Sequence, residues 1–381
     1  MMAGKNRMPL IAMIAAFLLV LTVACGGASN GGASNGGASN GGARLTVTDK
    51  PAGTGPGTLT ETGSTLLAPL MSNWAADYHR QVPGVTVNAA ATSSGTGIKD
   101  ASAGTADIGT TDAYLSSGDL VKNTSLLNIP LVISAQQVNY NVPGFNDPGT
   151  HINLDGKVLA EIYNGTITKW SDGRIAILNK GVRLPSVPIV PLVRSGNSGD
   201  TFLFTSYLST QYPVWNADIG YGTSVAWPHV PGELSEASNN DMVDTCGRTA
   251  GCVAYAGISY LNRAIGNGCG YAALANAAGN PELPSPATIT ASVASFVSST
   301  PPNETISMVN GPAPDGYPIV NYEYAVVSTS QRDPAKAKAI RDFLTWAITT
   351  GNSMTYLQAV RFEPLPQSVV TLAKAQIARI G

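Results

Sequence analysis

Three short loops of this sequence put hydroxyls and glycines where an anion could be held: Gly63-Ser64-Thr65, Ser94-Gly95-Thr96-Gly97 and Ser198-Gly199-Asp200-Thr201. Each lies between a strand-like run and a helix-like one. The first turn of a helix has unpaired N–H donors and a partial positive charge, and such ends hold phosphate or sulfate. Glycine lets the backbone approach the ligand without a side chain in the way. Ser and Thr are also the ordinary N-cap residues, and for any single loop the cap reading is the stronger. Three loops in one chain, the last preceded by Arg194, put an oxyanion site on an equal footing. The guanidinium fork of Arg194 suits two oxygens of a tetrahedral oxyanion, or equally a salt bridge at a strand end. Asp112 is the unexpected partner, since a carboxylate repels an anion. It helps only if the guest carries a hydrogen to donate, as hydrogen phosphate does and sulfate near neutral pH does not. Taken alone, Asp112 reads as a cap or turn residue.

Other chemistries lack their residues. No Gly-x4-Gly-Lys-Ser/Thr loop and no His-Glu-x-x-His occur, and the nearest approach to a nucleophile elbow, Gly196-Asn197-Ser198-Gly199, has Asp200 at its fifth position. Only His79, His151 and His229 are present, none spaced with cysteine as a zinc site requires. The residues therefore favour a binding module over an enzyme, with no metal and no cofactor.

The elements around the loops alternate. Leu59–Thr62 reads as a strand, and Ala68–Arg80 as a helix with Leu70, Trp74 and Tyr78 on one face. Val85–Asn88 reads as a strand, 93–97 as a loop, Ile98–Ala103 as a short helix and Asp107–Gly109 as a strand. Strands alternating with helices predict an α/β fold with a parallel or mixed sheet. Two long β-rich runs, Asn128–Val142 and Ile319–Ser328, bracket a second α/β unit. In that unit Ile189–Arg194 leads into the loop Ser195–Gly199 and the helical Thr201–Ser209. Pro334 opens a helix with Ala339, Ile340, Phe343, Leu344, Ala347 and Ile348 as its apolar stripe and Gly351 as its stop, and 366–380 reads as the last helix. The chain thus leaves one lobe, builds another and returns, with two strand-like crossings and a cleft between hinged lobes.

The N-terminus reads as an address. Lys5 and Arg7 precede an uncharged run, Leu10–Ala24, which as a helix would rise about 22 Å against a hydrocarbon core of ~30 Å. That favours a signal peptide over a membrane span. The run ends Leu21-Thr22-Val23-Ala24-Cys25-Gly26, which resembles a bacterial lipobox with Cys25 lipidated, although Thr22 stands where Leu is usual. The alternative is an ordinary signal peptide cut nearby. Three copies of Gly-Gly-Ala-Ser-Asn then form a tether to the membrane surface. Cys246 and Cys252 enclose a tight loop and, in an exported protein, read as a disulfide, leaving Cys269 buried. Over 381 residues the charged share is only 12% and the net charge is −2. That excludes a charge-rich disordered chain and an extended nucleic-acid surface. Gly 41 and Pro 25 mean abundant turns.

At these residues the chain resembles the phosphate-binding lipoproteins of bacterial ABC phosphate importers, the PstS family, in its mycobacterial type. Gly63 to Pro69 is similar to the family's first loop and Ser94 to Ile98 to its second. Asp107 to Ser116 is similar to its D-x-G-x-S-D-x-x-L-S segment. Leu154 to Lys157, Ile162 to Gly165, Ile167 to Trp170 and Arg194 to Phe202 follow in order. The resemblance implies a two-lobed, type II periplasmic-binding-protein fold with mixed sheets flanked by helices and a two-strand hinge. The implied divisions are 1–24 as signal peptide, 25–57 as lipidated cysteine and tether, 58–135 with 321–381 as lobe I, and 136–320 as lobe II. Carried over by position, Ser64, Thr65 and Leu66 would bind phosphate through N–H groups and hydroxyls, Ser94 through its hydroxyl, and Asp112 by accepting the ligand's proton. Arg194 would make charged contacts, and Ser198, Gly199 and Asp200 would wrap the remaining oxygens. The implied partners are inorganic phosphate, an ABC permease with its ATPase, and the outer face of the cell membrane through the N-terminal lipid only, for a monomer that binds no nucleic acid. Two positions depart from the family. Gly196-Asn197 replaces an Asp-Gly whose Asp would partner the arginine, so Arg194 is expected to be less firmly held or to contact ligand more strongly. Asp200 replaces a Thr, so a second proton acceptor is expected in the site. The alternatives are a receptor for sulfate or molybdate, against which Asp112 argues, and a phosphomonoester hydrolase on the same fold.

Overall fold

The computed structural model describes residues 57–381; the leader, Cys25 and nearly all of the tether lie outside the described residues. The first half of the chain builds β1 (Thr58–Gly63), α1 (Ala68–Gln81), β2 (Thr86–Ala91), α2 (Ser94–Ala103), β3 (Ile108–Thr111) and α3 (Ser117–Lys122). The long β4 (Leu126–Tyr140) follows, then β5 (Asn153–Leu154), α4 (Gly156–Tyr163), α5 (Gly173–Leu178) and β6 (Val190–Arg194). Next come α6 (Gly199–Gln211), α7 (Pro213–Asp218), β7 (Leu234–Glu236), α8 (Asn239–Arg248), β8 (Cys252–Gly257), β9 (Gly270–Tyr271), β10 (Ala273–Ala275) and β11 (Pro281–Glu282). The chain returns through β12 (Val320–Ser328) and closes with helices Pro334–Ala347 and Gln367–Ile377.

The main sheet runs β2-β1-β3-β12-β4-β8-β6-β7, with β9 added to β4, and β11-β10-β5 form a small second sheet. β1 is parallel to β2 and β3, and β6 is parallel to β7 and β8, whereas β12 is antiparallel to β3 and β4. β4 joins the two halves. Residues 126–135 pair with β12, then residues 136–140 pair with β8. All fifteen residues of β4 are buried. This strand therefore runs through both halves of the sheet rather than along an edge, which is why its sequence up to Gln136 is apolar on both faces apart from Asn128 and Ser134. The parallel strand-helix units leave their helix N-termini at the C-terminal ends of β1 and β6, in the crevice where ligands bind in open α/β sheets.

The periodic elements form as their spacing predicts. Leu70, Trp74 and Tyr78 of α1 are buried, as are Ala339, Ile340, Phe343, Leu344 and Ala347 of the helix from Pro334. Several bounds shift from the sequence reading, β2 to Thr86–Ala91 from Val85–Asn88, β3 to Ile108–Thr111 from Asp107–Gly109 and β4 to Leu126–Tyr140 from Asn128–Val142, and two shifts bear on the site. The segment 93–97 is not a loop, since α2 begins at Ser94, and α6 begins at Gly199 rather than Thr201. Glycine lowers helix propensity, but a Cβ on Gly97 would lie 2.4 Å from the Thr110 carbonyl oxygen, so only glycine lets this turn pack on β3.

Cys246 and Cys252 are disulfide-bonded across 5.3 Å between Cα atoms, tying the end of α8 to the start of β8, and Cys269 is free and buried. Closing so short a loop should contribute about 2 kcal/mol. Cys246→Ser should therefore melt several degrees lower than the parent in scanning calorimetry, and reductant should lower the parent to the same point. Equal melting temperatures would mean the bond contributes nothing.

Candidate functional site

The site is assembled from both halves of the main sheet. On the first, β1 delivers Ser64, whose N–H donates to the carbonyl (3.1 Å) and the hydroxyl (3.0 Å) of Thr110. This anchors the first loop to β3. The Ser64 hydroxyl donates to Asp112 Oδ1, lies 3.2 Å from Glu323 Oε2 and accepts from the Leu67 N–H at 3.0 Å. Ser94, the first residue of α2, accepts the Asp112 N–H on its Oγ at 3.2 Å. On the second half, β6 ends at Arg194 and α6 starts at Gly199. The two halves meet directly: the Gly95 N–H donates to the Asn197 carbonyl at 2.9 Å, and an ideal Cβ on Gly199 would lie 2.4 Å from both Asp112 Oδ2 and Ser94 Oγ. Ser64, Thr65, Ser94, Asp112, Arg194, Ser198 and Asp200 are all buried. The structure thus brings the sequence-selected residues into one place. Leu66 follows Thr65 with its side chain packed against Gly257 and its carbonyl accepting from Ser259 Oγ at 2.7 Å.

Arg194 is held more firmly than the sequence suggested. Its Nη1 bonds Asp200 Oδ2 at 2.7 Å, and its Nη2 donates to the Ala237 carbonyl at 2.7 Å and to Thr65 Oγ1 at 3.4 Å. Both side chains of the Arg194–Asp200 pair are 1% exposed. Asp200 therefore supplies the partner missing at Gly196-Asn197, from the first turn of α6 instead of the loop. This also corrects the reading of Asp200 as a second proton acceptor. Its Oδ2 takes Arg194 and the Asn239 amide (2.7 Å), while Gln136 Nε2 reaches its Oδ1 at 3.2 Å and its carbonyl at 2.9 Å. With those donors in place, the carboxylate is engaged by its own protein.

Two N–H groups expected to face a ligand are engaged elsewhere, that of Ser64 on Thr110 and that of Ser198 on the Thr223 carbonyl at 2.7 Å. Of their hydroxyls only that of Ser198 stays without a partner among the described residues, since that of Ser64 is taken up by Asp112, Glu323 and the Leu67 N–H. The cap reading of the loops holds only for α2, where Ser93 Oγ accepts from Thr96 N–H at 3.2 Å. Neither α1 nor α6 has a side-chain cap bond, and among the described residues Ser198 Oγ and Arg194 Nε are buried with no partner. Two uncapped helix N-termini, a guanidinium and the Thr65, Ser94 and Ser198 hydroxyls converge, a donor set for a tetrahedral oxyanion.

Sequence reasoning missed the supporting polar groups. Asn239, at the start of α8, bridges Thr65 Oγ1 (2.9 Å) and Asp200, and is itself oriented by the Gly257 N–H on its Oδ1 (2.9 Å). Glu323, in β12, stands behind Asp112. Its signal was a lone carboxylate in an apolar, aromatic strand (IVNYEYAVVS), since Glu is almost never fully buried unpaired. Burial and the neighbouring Glu323 charge push the Asp112 carboxyl well above the usual carboxylate range, and burial raises Glu323 too. Glu61, beneath Thr110 and accepting its hydroxyl at 2.5 Å, is pushed up to about 7 by burial.

Comparison with known proteins gives three concordant findings. A family model described as a PBP superfamily domain matches residues 48–350. The phosphate-binding protein PstS of Xylella fastidiosa (strain Temecula1) is 31% identical over 313 residues, covering 82% of this chain and 83% of the relative. PstS 2 of Mycobacterium tuberculosis is 29% identical over 387 residues, covering 97% and 98%. Among solved structures, a phosphate binding protein from Stenotrophomonas maltophilia superposes with a TM-score of 0.61 at 20% identity, covering 84% of this chain and 93% of that one. At that identity the likeness establishes the fold, two lobes with a cleft between them.

Proposed function

The chain belongs to the PstS family of phosphate-binding proteins, and from that premise we propose that it captures inorganic phosphate between its lobes outside the cytoplasmic membrane and passes it to an ABC phosphate importer. The observation that carries this reading is the convergence of Ser94 and Asp112 from one lobe with Arg194, Ser198 and Gly199 from the other, all buried together. In this reading the Thr65 and Leu66 N–H groups and the Thr65, Ser94 and Ser198 hydroxyls donate to phosphate oxygens. Arg194 Nε and the Gly199 and Asp200 N–H groups wrap the far side, and Asp112 accepts the hydrogen of the ligand. Ser64 acts through its hydroxyl on Asp112. Lobe I comprises 58–135 with 321–381 and lobe II 136–320, hinged where β4 changes neighbours. Cys25 carries the lipid, and the Gly/Ser/Asn tether gives a monomeric receptor its reach to the permease and its ATPase. No helix among the described residues is long and apolar enough to cross a membrane.

Each hydrogen bond to a charged ligand is worth about 1.5–3 kcal/mol. Several of them, less ordering and desolvation, support dissociation constants of about a micromolar or below. Competition calorimetry with phosphate, arsenate and sulfate tests the reading. Phosphate and arsenate should bind, and sulfate about a hundredfold more weakly or worse. Equal binding of phosphate and sulfate would remove it.

A further inference from the structure

Asp112 does not face the cleft alone, because a second carboxyl stands directly behind it. One hydroxyl, Ser64 Oγ, touches both side chains, at Asp112 Oδ1 and at Glu323 Oε2. On its far side Glu323 Oε1 accepts from Ser134 Oγ at 2.7 Å and Asn321 Nδ2 at 2.8 Å. Asn321 also donates to the Asp112 carbonyl at 3.3 Å. Glu323 is 0% exposed. Around the pair stand Ser134 from β4, Asn321 from β12, Ser64 from the first loop, and Asp200 with its Arg194 from the second lobe, while Tyr260 is bonded to the Thr65 carbonyl. No cation touches either carboxyl among the described residues.

Resting on the phosphate reading above, we propose that Glu323 is a specificity-determining residue of this site. Asp112 and Glu323 hold one proton between them, so Asp112 meets the ligand as a carboxylic acid with its O–H turned to Glu323. Its other oxygen accepts the hydrogen of the ligand, and the negative charge sits one carboxyl back, on the group that Ser134 and Asn321 solvate. Two carboxyls in contact away from water cannot both ionise readily, and the better-donated one keeps the charge. Burial raises both groups, and the Glu323 charge adds to the rise at Asp112 while the interaction with Asp112 acts downward on Glu323, in keeping with a proton held on Asp112.

The arrangement does two things that a lone Asp112 cannot. It places a neutral acceptor, not an anion, against a dianionic guest. It also stops Asp112 from turning its O–H toward an oxyanion that has no hydrogen, because doing so would take one donor away from a buried carboxylate. Sulfate is thus refused by Glu323 acting through Asp112.

The signs of the test follow from the pair. As pH rises through its upper ionisation, the pair gains a second charge and phosphate affinity falls, after correction for the ionisation of phosphate itself. Glu323→Gln removes the charge that holds the Asp112 proton, so that fall should move to lower pH by about a unit or more, with sulfate gaining on phosphate on the acid side of the midpoint, where Asp112 is an acid free to turn its O–H. Ser134→Ala removes a donor to the Glu323 carboxylate, so the fall should move to higher pH. Asp112→Asn, whose amide can donate to Glu323 while its carbonyl faces the ligand, should keep the phosphate-to-sulfate ratio within about tenfold of the parent. Calorimetry with phosphate and with sulfate from pH 5 to 9, beside a melting curve for each variant, reads all three. An unmoved midpoint in Glu323→Gln, or a shift to lower pH in Ser134→Ala, overturns the proposal. So does loss of discrimination in Asp112→Asn beyond that tenfold, which would make Asp112 a bare carboxylate acceptor. Should Glu323→Gln not fold, the Ser134 and Asp112 variants decide alone. A parent chain that binds no phosphate at any pH fails the functional reading instead, a distinct result.

Discussion

Gly199→Ala should weaken phosphate binding by more than about a hundredfold, while the unliganded chain melts within a few degrees of the parent. A Cβ at Gly199 would lie 2.4 Å from Asp112 Oδ2, 2.4 Å from Ser94 Oγ and 2.6 Å from Asp112 Cβ. No rotamer relieves such contacts, because a methyl has none that matters. Gly199 follows β6 and its two neighbours, Asp112 and Ser94, follow β3 and β2, so with the proposed lobes parting there the cost in packing is small. The molecule should stay folded and lose its closed state, and with it the simultaneous reach of both donor sets to one ligand. Gly95→Ala should act in the same direction, since its Cβ would lie 2.3 Å from Asn197 Cβ across the same seam. Titration calorimetry and small-angle scattering with and without phosphate would read the two halves of the claim. Parent-like affinity in Gly199→Ala would show that closure does not depend on this approach.

Arg194→Ala should damage both stability and binding, and the two effects should separate. Removing the guanidinium leaves the Asp200 carboxylate, 1% exposed, without its cation. Breaking one side of a buried pair costs about 3–5 kcal/mol, so the melting temperature should drop by about ten degrees. Asp200→Asn placed on top of Arg194→Ala removes the orphaned charge, and its amide oxygen can still accept from Asn239 or Gln136. The double variant should regain most of the lost stability and none of the binding, which should stay about a hundredfold or more below the parent. A double variant that binds phosphate normally would reduce Arg194 to a structural partner of Asp200. An Arg194→Ala that melts with the parent would contradict the burial on which the argument rests.

These expectations draw unequally on sequence and structure. Ser64, Ser94, Asp112, Arg194 and Gly199 were legible because each sits at a strand-to-helix turn, and turn chemistry is local. A few consecutive residues set the hydroxyl, the glycine and the helix start together. The apolar stripes of α1 and of the helix from Pro334 were legible for the same reason, a periodicity contained within one element. The helix starts at Ser94 and Gly199 were misplaced because glycine reads as a loop residue until one sees the Thr110 carbonyl and the Asp112 carboxyl that exclude a Cβ.

What the chain by itself determined was which chemistry its turns could offer and in what order along the polymer. Which groups answer one another was decided by the fold. Asp200 replaces a missing loop partner because the first turn of α6 swings its carboxylate under Arg194. Glu323 stands behind Asp112 because the returning β12 lies between β3 and β4. Ser64 and Glu323 are 259 residues apart in sequence yet 3.2 Å apart in space. Hydrogen bonds and charge repulsion act over a few ångströms of space, and no local pattern records which distant residue the sheet will bring within that range.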